Sequence, residues 1–379
     1  MTQRLVMHVG AAKTGSTSLQ RVLSRDAGSS DLFVYRCWQS DGSFTDARGA
    51  QHGLTGYASS PLRLIELGDW DDSLIATVAQ RIAQLTRSST LVLSSEGWAG
   101  DAAEMSPKAS ANLKRILATS GVESEAVLYV RPQAPWLESF YLQFGIWEGF
   151  DIEWYAHAVR LAGDGFWAKR VAALQELGFT RVTVRHVDDV VADFMGYVLA
   201  LPASDPRLIG RTAANPRVDL DFLLMALADP RLRPGPHSPH VEFLLERVAG
   251  EWELPHRDVP PLMGEDLVEV TENAYADDNR ALMSLLSASD AERFEQRASA
   301  FRQEQEGRAT MTRADLMAMD IDPAYREQLV LRSLDEVLRQ RFGDGIPGVP
   351  PLLADGAQRA TPTKKRSLVQ RLTGRIDRG

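Results

Sequence analysis

The chain is 379 residues long, 44% hydrophobic and 25% charged, with a net charge of −9 at neutral pH. Such a chain can bury a substantial core in one large or two ordinary domains, and its acidity argues against a nucleic-acid partner, which needs clustered Lys and Arg. Cys37 is the single cysteine, which excludes an intrachain disulfide and a cysteine-rich metal site, and no run reaches the ~20 apolar residues of a membrane span or the pattern of a signal peptide, so a cytoplasmic chain is expected.

Arg4 to Val9 is short, β-branched and apolar, and reads as a strand. It runs into Gly10-Ala11-Ala12-Lys13-Thr14-Gly15-Ser16-Thr17-Ser18, after which Leu19, Val22 and Leu23 fall at helical spacing. A strand, a turn of small residues and a helix start suit anion capture. Small residues let the backbone approach a ligand, first-turn N–H groups point outward, and the helix dipole adds about half a positive charge. Lys13 supplies a full charge, and Ser16, Thr17 and Ser18 can cap the helix or donate hydroxyls. In a Walker A loop Lys directly follows the second Gly, whereas Lys13 precedes Gly15 by two residues. The loop is phosphate-loop-like without the order of a nucleoside triphosphatase.

Leu32 to Cys37 reads as a second strand, and Gln39 to Pro61 as a long loop. His52 within that loop could orient an acceptor; the alternative is a solvent-exposed loop histidine. Leu74, Ile75, Val78, Ile82 and Leu85 predict an amphipathic helix over Asp71–Arg87, and Thr90–Leu93 a buried strand. Glu96 follows at that strand's carboxyl end, the edge where open α/β sheets bind ligands; its alternative is a cap or surface carboxylate. Leu113, Ile116 and Leu117 suggest another helix, and Ala126–Val130 the next strand.

Arg131-Pro132-Gln133-Ala134-Pro135 then turns the chain and starts a helix at or after Pro135, with Ser139 about one turn in and able to face Arg131. Arg suits phosphate because its planar fork binds bidentately and keeps its charge. Aromatics crowd the stretch from Trp136 to Trp167. Phe140, Phe144 and Trp147 share helical spacing and read as core, whereas Trp154 or Tyr155 could line an acceptor cleft by stacking on flat apolar faces. Thr180–His186 gives a fifth strand and Val187–Leu199 a helix behind it. Five strands separated by helices imply a doubly wound, mostly parallel α/β sheet flanked by helices. That core is expected over residues 1–256, with a helical accessory region over 257–360 and a basic flexible tail over 361–379.

The segment HVGAAKTGSTSLQ resembles the 5′-phosphosulfate-binding loop of sulfotransferases that use 3′-phosphoadenosine 5′-phosphosulfate, in particular the K-x-G-[ST]-[ST]-S-L-Q pattern of the carbohydrate-type and bacterial branch. The small-molecule cytosolic branch has Trp where Ser18 stands. Arg131 with Ser139 eight residues on is similar to the family's 3′-phosphate signature, and Asn215-Pro216-Arg217 and Tyr275 to Asn279 resemble its later segments. An R-K-G-x-x-G closing loop is absent from the sequence.

The resemblance implies a P-loop-like sulfotransferase fold with a helical C-terminal region. It implies 3′-phosphoadenosine 5′-phosphosulfate as donor, held by Lys13, Thr14, Gly15, Ser16, Thr17 and Ser18 at the 5′ end and by Arg131 and Ser139 at the 3′-phosphate. Glu96 is then the catalytic base, Lys13 a catalytic cation, and a carbohydrate or other hydroxyl or amine the acceptor, with no metal required. Two other readings stay open: a phosphotransferase using ATP and magnesium, and a non-catalytic nucleotide-binding member of the fold.

Overall fold

The structure, a computed structural model, describes residues 4–10, 13–26, 33–38, 43–46, 70–95, 105–201, 219–229, 232, 233, 235, 236 and 257–329. Among these, six strands form one sheet: β1 (Arg4–Val9), β2 (Phe33–Trp38), β3 (Phe44–Asp46), β4 (Thr90–Ser95), β5 (Glu123–Tyr129) and β6 (Arg181–Arg185), in the order β3-β2-β4-β1-β5-β6. Five of the strands run parallel, with register pairs such as Val6↔Val92, Val6↔Glu125 and Ala126↔Val182.

The exception is β3, which pairs antiparallel with β2 through Cys37↔Thr45. The expected long loop from Gln39 therefore contains a short edge strand. Three residues are too few to display an alternation of period two, so the sequence pattern passes over it.

Alternation decides which residues fill which side of the sheet. Val6, Val92, Val127 and Tyr129 pack with Leu19, Val22 and Leu23 of α1 (Ser16–Asp26) and with Val191, Phe194, Met195 and Val198. Their neighbours Leu5, Met7, Val9, Leu91, Leu93, Ala126 and Leu128 point the other way and are equally buried. Each such aliphatic side chain contributes ~1.5–3 kcal/mol relative to exposure. Central strands buried on both faces are what make the runs in β1, β4 and β5 so uniformly apolar.

Local chemistry fixes the helix ends. The helix α2 (Asp72–Leu85) is capped by Asp71, whose Oδ1 accepts from Leu74 N at 2.7 Å. It lies against β4 and against α3 (Pro107–Ser120), which Ser106 and Pro107 start and left-handed Gly121 stops. The helix α4 (Gln133–Gln143) begins two residues earlier than the expected Pro135, because a proline in the first turn lacks only an N–H that has no intrahelical acceptor anyway. There follow α5 (Ile152–Leu161), α6 (Trp167–Glu176), α7 (Val190–Asp193), α8 (Leu220–Ala228), α9 (Glu265–Met283), α10 (Ala288–Gln305) and α11 (Arg313–Met317). The single helix expected over Val187–Leu199 is instead the four-residue α7 followed by a π turn, Phe194–Val198, with Ala200 at a positive φ of 54° just beyond. The π turn sets Phe194, Met195 and Val198 into the core on one side of the sheet.

The chain divides into two compact units. The first comprises Met1–Phe140, Asp164–Pro216 and Met263–Ala309, so part of the expected accessory region, including α9 and α10, groups with the sheet. The second comprises Tyr141–Gly163, Arg217–Leu262 and Thr310–Gly379 and has its own cluster of Phe222, Ala226, Tyr325 and Leu329, against which Trp147, Met225 and Leu232 pack. Among the described residues no helix is long and apolar enough to cross a membrane.

Candidate functional site

Strand order points to one place on the first unit. The strand that follows β1 in the chain lies to one side of it and the strand that follows β5 lies to the other, so the connections leaving these two neighbours diverge. Divergence opens a crevice at the carboxyl ends of β1 and β5, where open α/β sheets bind ligands.

The turn after β1 closes tightly on itself. A Cβ on Gly10 would stand 2.2 Å from Ser16 Oγ, so only glycine admits that buried hydroxyl. Gly15 has φ +92° and packs on Val190 of α7, where an added Cβ would come within 3.1 Å of the valine side chain. Lys13 is left-handed too, with φ 65°, a conformation that costs a non-glycine residue ~1–3 kcal/mol and that functional loops retain when their surroundings hold it. The intrahelical ladder of α1 starts with Leu19 N donating to Gly15 O at 3.2 Å, so the N–H groups of residues 16–18 precede it and carry the positive end of the helix dipole. Thr14 and Ser16 are buried, while Lys13, Gly15 and Ser18 are half-buried.

Arg131 provides the restraint on Lys13. Its Nη1 donates to the Lys13 carbonyl at 2.8 Å, joining the turn after β5 to the turn after β1. Its own carbonyl accepts from Trp167 Nε1 at 2.8 Å. Burial, and then the positive charge of Arg297, hold the Arg131 guanidinium below the ordinary arginine pKa, with Asp188 working the other way. A desolvated cation facing a second cation gains when an anion arrives. Beside it, His186 Nδ1 donates to Val130 O at 2.8 Å, and burial keeps that imidazole below its usual pKa. Ser139 is half-buried on α4, the helix that follows the Arg131 turn.

The structure thus brings the Lys13 turn and Arg131 together. Glu96 and His52 lie outside the described residues, as does the side chain of Thr17. In the second unit, Trp154 is 47% exposed and stacks on Phe150 with ring centroids 4.2 Å apart. Tyr155 is a correction: it is fully buried, its ring 5.7 Å from Tyr141, so it is a core side chain and lines no cleft. Its place follows from α5, whose 152, 155, 156 and 159 positions form the inward face.

Three contributors went unpredicted. His8, the penultimate residue of β1, is completely buried; its Nδ1 shares a 2.8 Å hydrogen bond with Ser94 Oγ, which also accepts from Gln20 Nε2 at 3.3 Å. Burial pushes its pKa down to about 3, so the ring is neutral. The visible signal was one polar residue inside an apolar strand. At the end of α7, Asp193 accepts from Tyr129 at 2.8 Å and from Arg185 at 2.6 Å, securing the segment on which Gly15 rests. Gln133 pairs with Asn279, the last residue of the Tyr275 to Asn279 segment noted in the sequence, and it is the pairing itself that has no local signature. Comparisons with protein-family models, with curated proteins and with solved structures found no match.

Proposed function

We propose that this chain is a sulfotransferase that moves a sulfuryl group from 3′-phosphoadenosine 5′-phosphosulfate to a hydroxyl or amine, with a carbohydrate as acceptor. The observation that supports this reading most is the hydrogen bond from Arg131 to the Lys13 carbonyl, which links the two turns that resemble the ends of one donor site. The five-strand parallel sheet is compatible with a P-loop-like fold, and the crevice between diverging connections suits a nucleotide.

In this proposal Lys13, Thr14, Gly15, Ser16, Thr17 and Ser18 hold the 5′-phosphosulfate, and Arg131 with Ser139 holds the 3′-phosphate. The acceptor oxygen or nitrogen attacks sulfur in line, its proton passes to Glu96, and the bond from sulfur to the bridging oxygen breaks. The nucleotide leaves as adenosine 3′,5′-bisphosphate, with Lys13 balancing the charge that grows on the leaving oxygen. Lys and Arg supply the neutralisation that magnesium gives phosphoryl transfer, so the chemistry needs no metal. A cytoplasmic setting goes with this reading, since a chain with one cysteine gains nothing from an oxidising compartment.

Thermal denaturation with adenosine 3′,5′-bisphosphate, set against ATP plus magnesium, tests the proposal. Stabilisation by the bisphosphate alone is expected. Stabilisation that requires ATP and magnesium would favour a phosphotransferase, and bisphosphate binding without any sulfuryl transfer would favour a nucleotide-binding protein without catalysis.

A further inference from the structure

The segment carrying Arg131 is held from outside by one face of α9. Tyr275, Asp278 and Asn279 fall at i, i+3 and i+4, so they share a face. Asn279 Nδ2 donates to Gln133 Oε1 at 2.9 Å while Gln133 Nε2 donates to Asn279 Oδ1 at 2.7 Å, a reciprocal amide pair, and Gln133 Nε2 also donates to Gly165 O at 3.0 Å. Asp278 caps α6: its Oδ2 accepts from Ala168 N at 3.0 Å and its Oδ1 from Lys169 N at 3.1 Å. Tyr275 OH donates to Asp164 O at 2.8 Å. The first residue of α6, Trp167, donates to the Arg131 carbonyl. Arg131 is therefore gripped on two sides, through Gln133 two residues ahead and through Trp167, and both grips lead back to α9.

A face meant only for packing would be apolar. This one presents an amide matched to Gln133 on the Arg131 turn, and a carboxylate and a phenol hydroxyl matched to backbone groups at and before the start of α6. Directional bonds of this sort set orientation as well as cohesion.

We infer that Asn279, assisted by Asp278, is a positioning residue that aims the Arg131 guanidinium and thereby sets the preference for a nucleotide bearing a 3′-phosphate. The inference rests on the donor-binding reading above. Asn279 touches no ligand in this account; it acts through Gln133 on the turn that follows β5. Loss of the amide pair frees Gln133, lets the turn relax, and misaligns a fork that needs two well-directed contacts to bind phosphate.

Calorimetric titration of the full chain with adenosine 3′,5′-bisphosphate and with adenosine 5′-phosphate tests this, using wild type, Asn279→Ala, and the swapped pair Gln133→Asn with Asn279→Gln. The Asn279→Ala variant is expected to lose about tenfold in affinity for the bisphosphate and little for the monophosphate, as a small misplacement at a bidentate contact does. The swapped pair, which keeps two facing amides, is expected to recover most of that preference. Equal loss for both nucleotides, or an unchanged preference, would overturn the positioning role while leaving the donor reading intact. A wild-type chain that binds neither nucleotide would overturn the donor reading and this inference with it.

Discussion

Arg4 and Arg131 stand at opposite ends of the same parallel sheet, and their partners differ in kind. At the amino end, Arg4 of β1 and Arg181 of β6 both reach the buried Glu125 of β5, Arg181 at 2.8 Å, and Thr183 Oγ1 donates to the same carboxylate at 2.5 Å. That cluster is closed: two cations and a hydroxyl converge on one anion. At the carboxyl end Arg131 donates to the carbonyl of Lys13, a neutral acceptor, and feels the opposing charges of Arg297 and Asp188, with no ion pair to a carboxylate among the described residues. The first arrangement neutralises its buried anion and contributes cohesion; the second gives a desolvated guanidinium a neutral acceptor, at a cost in stability. The same residue type serves the fold at one edge and, in our proposal, the donor at the other.

Removing the anion of the closed cluster should have the largest effect. Glu125→Ala leaves two arginines without their shared partner and should lower stability by ~3–5 kcal/mol in chemical denaturation; a change below ~1 kcal/mol would dissolve the contrast between the two ends. Burial pushes the Glu125 carboxyl up, but the bonds from Thr183, Arg181 and Arg4 outweigh it and hold its pKa below the usual value. Its contribution is therefore present above the unfolded pKa and lost as pH falls, so Glu125→Gln should flatten the acid limb of the stability curve.

At the open end, Lys13→Ala should cut the donor-dependent release of adenosine 3′,5′-bisphosphate by about a hundredfold or more while leaving the melting temperature nearly unchanged, since a positioned charge acts only where charge develops. Undiminished release would remove Lys13 from the chemistry.

In β1, His8 couples stability to pH. Its folded pKa of about 3 lies below the ordinary 6.5, so the unfolded chain binds the extra proton between those values. Stability is full above pH 6.5 and falls on acidification toward 3, by at most ~1.4 kcal/mol per pH unit for one proton. A His8→Gln variant should lose that slope in a pH series of denaturation curves; an identical slope would assign it to other groups. The smallest effect belongs to the exposed pair Arg115–Asp72, 2.6 Å apart with side chains 50% and 89% exposed. Arg115→Ala should shift stability by less than ~1 kcal/mol, and a larger loss would mean that surface charge carries weight here that the comparison denies it.

The strand, turn and helix over residues 4–26 were legible because three signals lie within a few consecutive residues: an apolar β-branched run, small residues with two glycines, and helical spacing after them. Arg131 was legible for a similar local reason, a strand end followed by prolines. The parts that escaped are those whose cause is distant or short. Gln133 and Asn279 are 146 residues apart, and neither shows in its own neighbourhood why it is polar. Tyr155 sits in an aromatic stretch where composition alone cannot tell an inward from an outward ring, and only the face of α5 decides it. The π turn at Phe194–Val198 adds one residue to a helical turn, a shift too small to disturb the apolar spacing that predicted a continuous helix.

The central claim is that the Lys13 turn and Arg131 hold opposite ends of one nucleotide. The most direct test is a cross of two ligands with two variants: adenosine 5′-phosphate and adenosine 3′-phosphate titrated into Lys13→Ala and Arg131→Ala. Lys13→Ala is expected to weaken the 5′-phosphate alone, whereas Arg131→Ala weakens the 3′-phosphate the more, with a smaller effect on the 5′-phosphate from the lost bond to the Lys13 carbonyl. An Arg131→Ala variant that weakens the 5′-phosphate as much as the 3′-phosphate, or unchanged affinities in both variants, would contradict that claim.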